Sequence, residues 1–438
     1  MRMHSDTRTG PRRLRGGAIA LLMVPFLALA GCDLDLTNPN APTEEEVLTD
    51  IEGLIALAVG MQGQFATSLN TYVRAPALVT DEWGTQGRAL AADNSLVLGT
   101  PDRTFGVVSG PYTVTYRILR SANDLIANVP QAGFGPGFEA GIVGLARLHK
   151  AMALGMAIQQ FEQIPTDADV AGSPLRPRGE VLSVILSELA QAREAVTQPG
   201  LDFTGFNQRV RGPGFDLRNT IDAMLARYHL IAGNHEEAIA AADRVDLSVL
   251  SMYAFPAPAT NPVYNYMYGL EYTSARQSWA DDAEAGDQRP SFWLYLDQPG
   301  PDPAFAEIPL LWMQQYDDRG DAFPVYLPGE MLLIKAEAHA RQGRLPQAIA
   351  YINQVRTQCP EDTALNEPAA CLPPWVPVAP TQDDVLRQIA HERRFELFVQ
   401  GLRWEDMRRF SDVIEETPSM MWLPIPQQEC DANPEITC

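Results

Sequence analysis

The chain has 438 residues and a formal charge of −22 at neutral pH, with 46% hydrophobic and 20% charged residues. A body of this length can bury a large core or form two lobes. One this acidic repels nucleic acid and anionic membrane surfaces, which argues against a partner held through phosphate charge.

The chain opens with Arg2, Arg8, Arg12, Arg13 and Arg15, then an apolar run from Ala18 to Ala30, then Leu29-Ala30-Gly31-Cys32. A basic head, a short hydrophobic segment and small residues at the cut make a secretory signal over 1–31, too short to span a bilayer stably. Arg12-Arg13 lacks the rest of a twin-arginine signal. Leu-Ala-Gly-Cys reads as a bacterial lipobox, so processing would leave Cys32 acylated, and several acyl chains anchor a soluble body firmly. Removing the five arginines and the one aspartate before Cys32 takes the formal charge from −22 to −26, which leaves the lipid as the membrane attachment. Residues 32–42, rich in Asn, Pro and Thr, read as a tether, and Thr43 is placed to cap the next helix.

Amphipathic periodicity then predicts helices over 45–68, 113–129, 140–161 and 181–196. Thr80-Asp81-Glu82 before Trp83 sits between polar residues and reads either as a helix cap or as an acidic pair facing a ligand. A helical hairpin follows: Ile221, Met224, Leu225 and Tyr228 form one stripe, Gly233-Asn234 turns the chain, and Ala238, Ile239 and Ala242 lie on the return helix. A second hairpin pairs Met331, Ile334 and Ala338 with Ala348, Ile349, Ile352 and Val355 across Gly343. The small residues allow the close approach that tetratricopeptide hairpins need. The expected fold is therefore all-α, a tetratricopeptide-repeat-based α-α superhelix.

Between the hairpins, 250–327 breaks helical periodicity and holds 15 of the chain's 36 aromatic residues, mixed with Pro, Gly and Asn. It reads as an irregular insertion. A ring displayed on a rigid scaffold offers a flat apolar face to a sugar while neighbouring polar groups meet its hydroxyls. The ligand-contact candidates are Trp83, Tyr264, Tyr266, Tyr268, Trp279 and Trp293, with Asp81 and Glu82 as acidic partners; for each ring singly, packing inside a loop-rich lobe is the competing account. Trp312, Trp404 and Trp422 lie in hydrophobic or motif contexts and read as structural.

The acidic clusters Asp281-Asp282-Ala283-Glu284 and Asp317-Asp318-Arg319-Gly320-Asp321 read as solvated loop charge. Calcium stays open because oxygens are clustered, although the twelve-residue loop with its terminal Glu is absent. The six histidines are scattered, and no Ser-nucleophile, phosphate-loop or zinc motif occurs, so no cofactor beyond the Cys32 lipid is expected and a dedicated enzyme is disfavoured. After Cys32 four cysteines remain: Cys359, Cys371, Cys430 and Cys438. Export permits disulfides, and sequence proximity favours Cys359 with Cys371 and Cys430 with Cys438 among three pairings.

The end of the chain carries the most specific pattern. His391 to Phe410 reads HERRFELFVQGLRWEDMRRF, and Trp422-Leu-Pro-Ile-Pro-Gln-Gln-Glu429 and Asn433-Pro434 follow. Phe395, Phe398, Val399 and Leu402 fall at helical spacing with charges interleaved, predicting one half-buried helix clad in ion pairs. The string E-R-R-x-E-L-x-x-x-G-x-R-W-x-D with the downstream L-P-I-P-x-x-E resembles the end of the SusD/RagB family. Lys335-Ala-Glu-Ala338, Ile352-Asn353-x-Val-Arg356, Pro177-Arg178, Thr80-Asp81-Glu82 and Asp287-Gln288-Arg289 resemble its motifs elsewhere. Gly144 departs from it, standing where the family usually has Glu, and the chain is short for the family.

The resemblance implies a surface-exposed outer-membrane lipoprotein that binds a nutrient, a glycan or a peptide, and delivers it to a SusC-type TonB-dependent transporter. It also implies an N-terminal SusD-like region over 43–249, a ligand-binding insertion over 250–327 and a C-terminal region over 328–438. A glycan-degrading enzyme and a scaffold without ligand are the alternatives.

Overall fold

In a computed structural model, residues 44–168, 172–434, 436 and 438 are described. The signal segment 1–31, Cys32, the tether 32–42 and the Thr43 cap lie outside the described residues. Helix outweighs strand, 55% to 5%, so the body is all-α.

Each predicted amphipathic stretch is helical. The first divides at Asp50, whose carboxylate accepts from Gly53 N–H at 2.9 Å and caps the helix Ile51–Thr67. Gly106–Asn128, Pro136–Ile158 and Arg178–Thr197 follow. Gly144 explains its own departure from the family pattern: a Cβ there would stand 2.5 Å from the Val196 side chain. Its bare backbone lets the Pro136–Ile158 and Arg178–Thr197 helices close on each other. The first hairpin is Leu217–Ile231 with His235–Ala242, turned at Gly233 in the left-handed conformation with φ +79°. The second is Pro328–Arg341 with Leu345–Thr357.

One expectation is corrected. The helix holding His391 is Gln382–Glu396, opened by a Thr381–Asp384 capping box, and it does not run on to Leu402. Val399 at φ +59° and Gly401 at φ +73° break the chain before a new helix begins at Arg403. Phe395, Phe398, Val399 and Leu402 are all buried, at 2% exposure or less, but they reach the core from a helix end and a turn instead of one stripe. The charges are not cladding either, since Glu392, Arg393 and Glu396 are buried with them.

Two small sheets attach the irregular insertion. Met252–Tyr253 pairs antiparallel with Phe323–Pro324, so the segment enters and leaves at one place. Thr273–Arg276 pairs with both Trp83–Thr85 and Leu310–Leu311, which ties the insertion to the loop after Thr80-Asp81-Glu82. One continuous core runs from Leu54 to Leu423, and a smaller cluster around Ile352, Val385, Ile389 and Phe410 fills the space under the second hairpin. Disulfides join Cys359 to Cys371 and Cys430 to Cys438.

Candidate functional site

The insertion divides its aromatic residues between two environments. Trp279 and Trp293 are each 1% exposed and Trp83 is fully buried, so no face of these rings is open to a ligand. Their expected role as contacts is corrected to core packing. For Trp279 and Trp293 the cause is the sharp end of the Gln382–Glu396 helix, which leaves carbonyls without intrahelical partners. Trp279 Nε1–H donates to Arg394 O at 3.3 Å and Trp293 Nε1–H to Phe395 O at 3.1 Å, while the Trp279 ring lies 3.9 Å from that of Phe398. A Trp is well suited to this position because it supplies one donor and a large apolar body.

The Asp-x-Arg pair belongs to the same inner layer. Arg289 is fully buried; its guanidinium meets Asp287 at 2.6 Å and Glu392 at 2.9 Å, with Glu396 at 3.7 Å. Glu392 is shared with Arg356 at 2.6 Å, which also holds Glu284 at 2.8 Å. Burial pushes the Glu396 carboxyl up to about 8, and Arg289 only partly offsets it. Across the smaller core, Arg409 and then Arg341 overcome burial and hold Glu337 down to about 2.

The Thr80-Asp81-Glu82 segment splits three ways. Thr80 ends the helix Leu69–Val79, its hydroxyl donating to Pro76 O at 2.8 Å. Asp81 is exposed, has φ +64° and pairs with Arg276 at 2.8 Å. Glu82 is 1% exposed and accepts from Val399 N–H at 3.4 Å; burial, moderated by Arg403, raises its carboxyl to about 8. It is an interior acid and not a ligand contact, a second correction.

The outer layer is different. Asn261, fully buried, caps Pro262–Tyr264 by accepting from Val263 N–H at 2.8 Å. A single π-helical turn, Asn265–Gly269, follows; such turns recur at functional sites. The four-residue spacing sets Tyr264 and Tyr268 in parallel, with ring centroids 5.7 Å apart and planes 22° apart. Tyr268 then stacks on Trp312 at 5.1 Å and 16°. All three rings are half-buried.

Tyr295 N–H donates to Trp312 O at 3.0 Å, and the Tyr295 hydroxyl donates to the exposed Asp317 carboxylate. Tyr268 is fastened through its hydroxyl to Met313 O. The result is a three-ring ladder with a phenol and an acid beside it, on the rim of the insertion. Tyr266 does not join it: Arg74 lies over its ring at 4.5 Å, and its hydroxyl meets Arg74 and Asp93.

Trp312, read from the sequence as structural, and Asp317, read as solvated loop charge, stand at this rim with Tyr295, beside the candidates Tyr264 and Tyr268. The sequence offers no alternation to single out Trp312, which follows Leu310 and Leu311 and precedes Met313, all apolar and buried. Trp404 is fully buried, as a structural residue should be. Trp422 is half-buried, with the Arg408 guanidinium 3.9 Å from its ring. The acidic clusters are engaged: Asp282 with Arg394 at 2.7 Å, Glu284 with Arg356, and Asp318 with the Gly320 N–H at 2.8 Å. Among the described residues no group of three or more His, Cys, Asp or Glu side chains is gathered for a metal ion.

Residues 313–421 match the sequence model of the SusD family. No curated protein matches the chain in sequence. In three dimensions the chain is similar to a SusD superfamily protein from Bacteroides vulgatus, with TM-score 0.66, 17% identity and coverage of 89% of this chain and 98% of that one. It is similar to a SusD-like carbohydrate binding protein from the same species, with TM-score 0.65, 17% identity and coverage of 82% and 83%. A SusD-like protein from Bacteroides fragilis aligns with TM-score 0.68, 12% identity and coverage of 90% and 98%. The chain thus shares the fold of SusD superfamily structures over the larger part of its length, and residues 313–421 carry the sequence pattern of the SusD family.

Proposed function

We propose that this protein is a nutrient-binding lipoprotein of the outer-membrane surface, anchored through Cys32, which captures a glycan on the Tyr264–Tyr268–Trp312 ladder and hands it unaltered to a SusC-type TonB-dependent transporter. The ladder carries the reading. Stacked aromatic rings on a rigid scaffold match the apolar faces of sugar rings, and the Tyr295–Asp317 pair supplies a donor and acceptors for hydroxyl groups. The lipobox sequence and the resemblance of 391–429 to its family support the membrane and transporter parts, and one similar structure is named for carbohydrate binding. A glycan is favoured over a peptide because the rim offers rings and hydroxyl-binding groups. The role is binding without chemistry: the acids beside the rings are tied to a phenol and to backbone amides.

Affinity electrophoresis in gels containing soluble polysaccharides tests this. At least one glycan is expected to retard the protein, and Trp312→Ala to run as it does without glycan. Release of reducing ends by the purified protein, or no retardation by any glycan with capture of peptides instead, would contradict the reading. Mass spectrometry of the mature N-terminus checks the anchor, with diacylglyceryl-Cys32 as the expected first residue.

A further inference from the structure

A groove of about 640 Å³ lies away from the ring ladder, between the Gln382–Glu396 helix and the segment 411–416. Arg387, His391, Arg394 and Arg403 line one side. Two of its cations are already engaged. Arg387 donates to Val413 O at 3.0 Å and pairs with Asp384 at 2.9 Å, and Arg394 Nη2 pairs with Asp282 at 2.7 Å.

Arg403 is the exception. Its side chain is only 5% exposed, yet its guanidinium makes no hydrogen bond to any described residue. Its nearest carboxylate is that of Glu416, 3.9 Å from Arg403 Nη2 and equally 3.9 Å from Arg394 Nη1, outside hydrogen-bond reach of both. Glu416 is itself half in water, at 51% exposure. With five donors and no protein acceptor, the Arg403 nitrogens are left to the water of the groove, which a ligand oxygen can displace. Its other charged neighbours do not relieve this: Arg394 repels it, Asp406 is held by Arg393 and Arg409, and Glu82 is a raised, interior acid.

We infer that this groove is a second ligand site, one that takes a carboxylate between Arg394 Nη1 and Arg403 Nη2 and turns Glu416 out into solvent. A carboxylate oxygen drawn in to each of the two nitrogens would replace the two long ion contacts of Glu416 with two charge-assisted hydrogen bonds. The remaining acids of the groove, Asp412 and Glu415, are exposed, so water screens them. The volume suits a monosaccharide acid or a short peptide end. The site does not depend on the ring ladder, so it adds an acid-recognising function to the one proposed above.

Isothermal titration of the full-length protein in detergent tests it, using galacturonate with galactose as the neutral control, and acetyl-diglycine with its amide as the peptide control. Galacturonate or the free-acid peptide binds while the neutral forms do not, and which of the two binds tells whether the carboxylate comes from a sugar or a chain end. Glu416→Ala removes the competing carboxylate and tightens binding by about threefold to fivefold, the size of one exposed ion pair. Arg403→Met weakens it by about tenfold or more, and Trp312→Ala leaves it unchanged.

Equal binding of acid and neutral probes, an affinity that does not rise in Glu416→Ala, or displacement of galacturonate by chloride at equal concentration would overturn the inference. Should Arg403→Met fail to fold, the Glu416→Ala result decides alone. Because Trp312→Ala reads only the ladder, loss of the proposed glycan function and loss of this site are told apart.

Discussion

The two layers of the insertion are built from the same residue types and have opposite fates. Trp279 and Trp293 turn inward because a helix ends beneath them with carbonyls to satisfy, and the Arg289 cluster closes the space beside them. Tyr264, Tyr268 and Trp312 stay at the rim, stacked on one another and fastened only through a hydroxyl and the backbone. Aromatic content therefore does not by itself tell which rings are displayed; the hydrogen-bonding demands of neighbouring helix ends decide which face the solvent.

The inner layer is expected to break hardest. Trp293→Ala should cost about 3–5 kcal/mol of stability, since it opens a cavity and strips a partner from Phe395 O. Thermal unfolding would show a clear drop in Tm, and an unchanged Tm would mean the ring is not core. Arg289→Met should cost about 3–5 kcal/mol by leaving Asp287 buried without its cation and Glu392 with Arg356 alone, seen as a lower urea midpoint.

The next effect is a pH dependence of the interior acids. Glu82 and Glu396 have folded values near 8 against an ordinary 4.5, so the folded state binds more protons between those values. Their contribution is fully present below about 4.5 and is lost as pH rises through about 8. Glu337, held near 2, acts oppositely: its contribution is present above 4.5 and lost as pH falls toward 2. His149, which burial lowers to about 4, adds a rise in stability up to pH 6.5, so the two glutamates are read cleanly only above pH 7. Between pH 7 and 8.5 the wild-type Tm should fall and the Glu82→Gln/Glu396→Gln double variant should hold level; equal slopes would sink this assignment.

The smallest stability effect belongs to the outer layer. Trp312→Ala should change stability by no more than about 1 kcal/mol, yet weaken glycan affinity by about tenfold, as expected for a lost stacking face. Titration calorimetry with a glycan that retards the protein in gels checks both halves of that statement. A large Tm loss without an affinity loss would merge the two layers into one.

Much of the helical scaffold is legible because it depends on local rules. Ile221, Tyr228, Gly233 and Ala238, and later Met331, Ala338, Gly343 and Ala348, carry their own periodicity and turns. The Glu-Arg-Arg segment was legible as a resemblance but not as physics. Glu392 and Glu396 answer Arg289 from about a hundred residues away, and the break at Val399 needs a left-handed residue that its sequence does not announce. The ring ladder was half visible. Tyr264 and Tyr268 stand among turn-forming residues, but Trp312 hides behind two leucines, and which indoles find carbonyls depends on contacts that exist only once the chain has folded.

The central claim, that ligand meets the outer rings and not the inner ones, is open to direct observation by fluorine NMR of protein labelled with 5-fluorotryptophan, its seven signals assigned by single Trp→Phe substitutions. Titration with a retarding glycan is predicted to move the Trp312 signal and leave those of Trp83, Trp279 and Trp293 in place. Movement of an inner signal while Trp312 stays still would contradict the account.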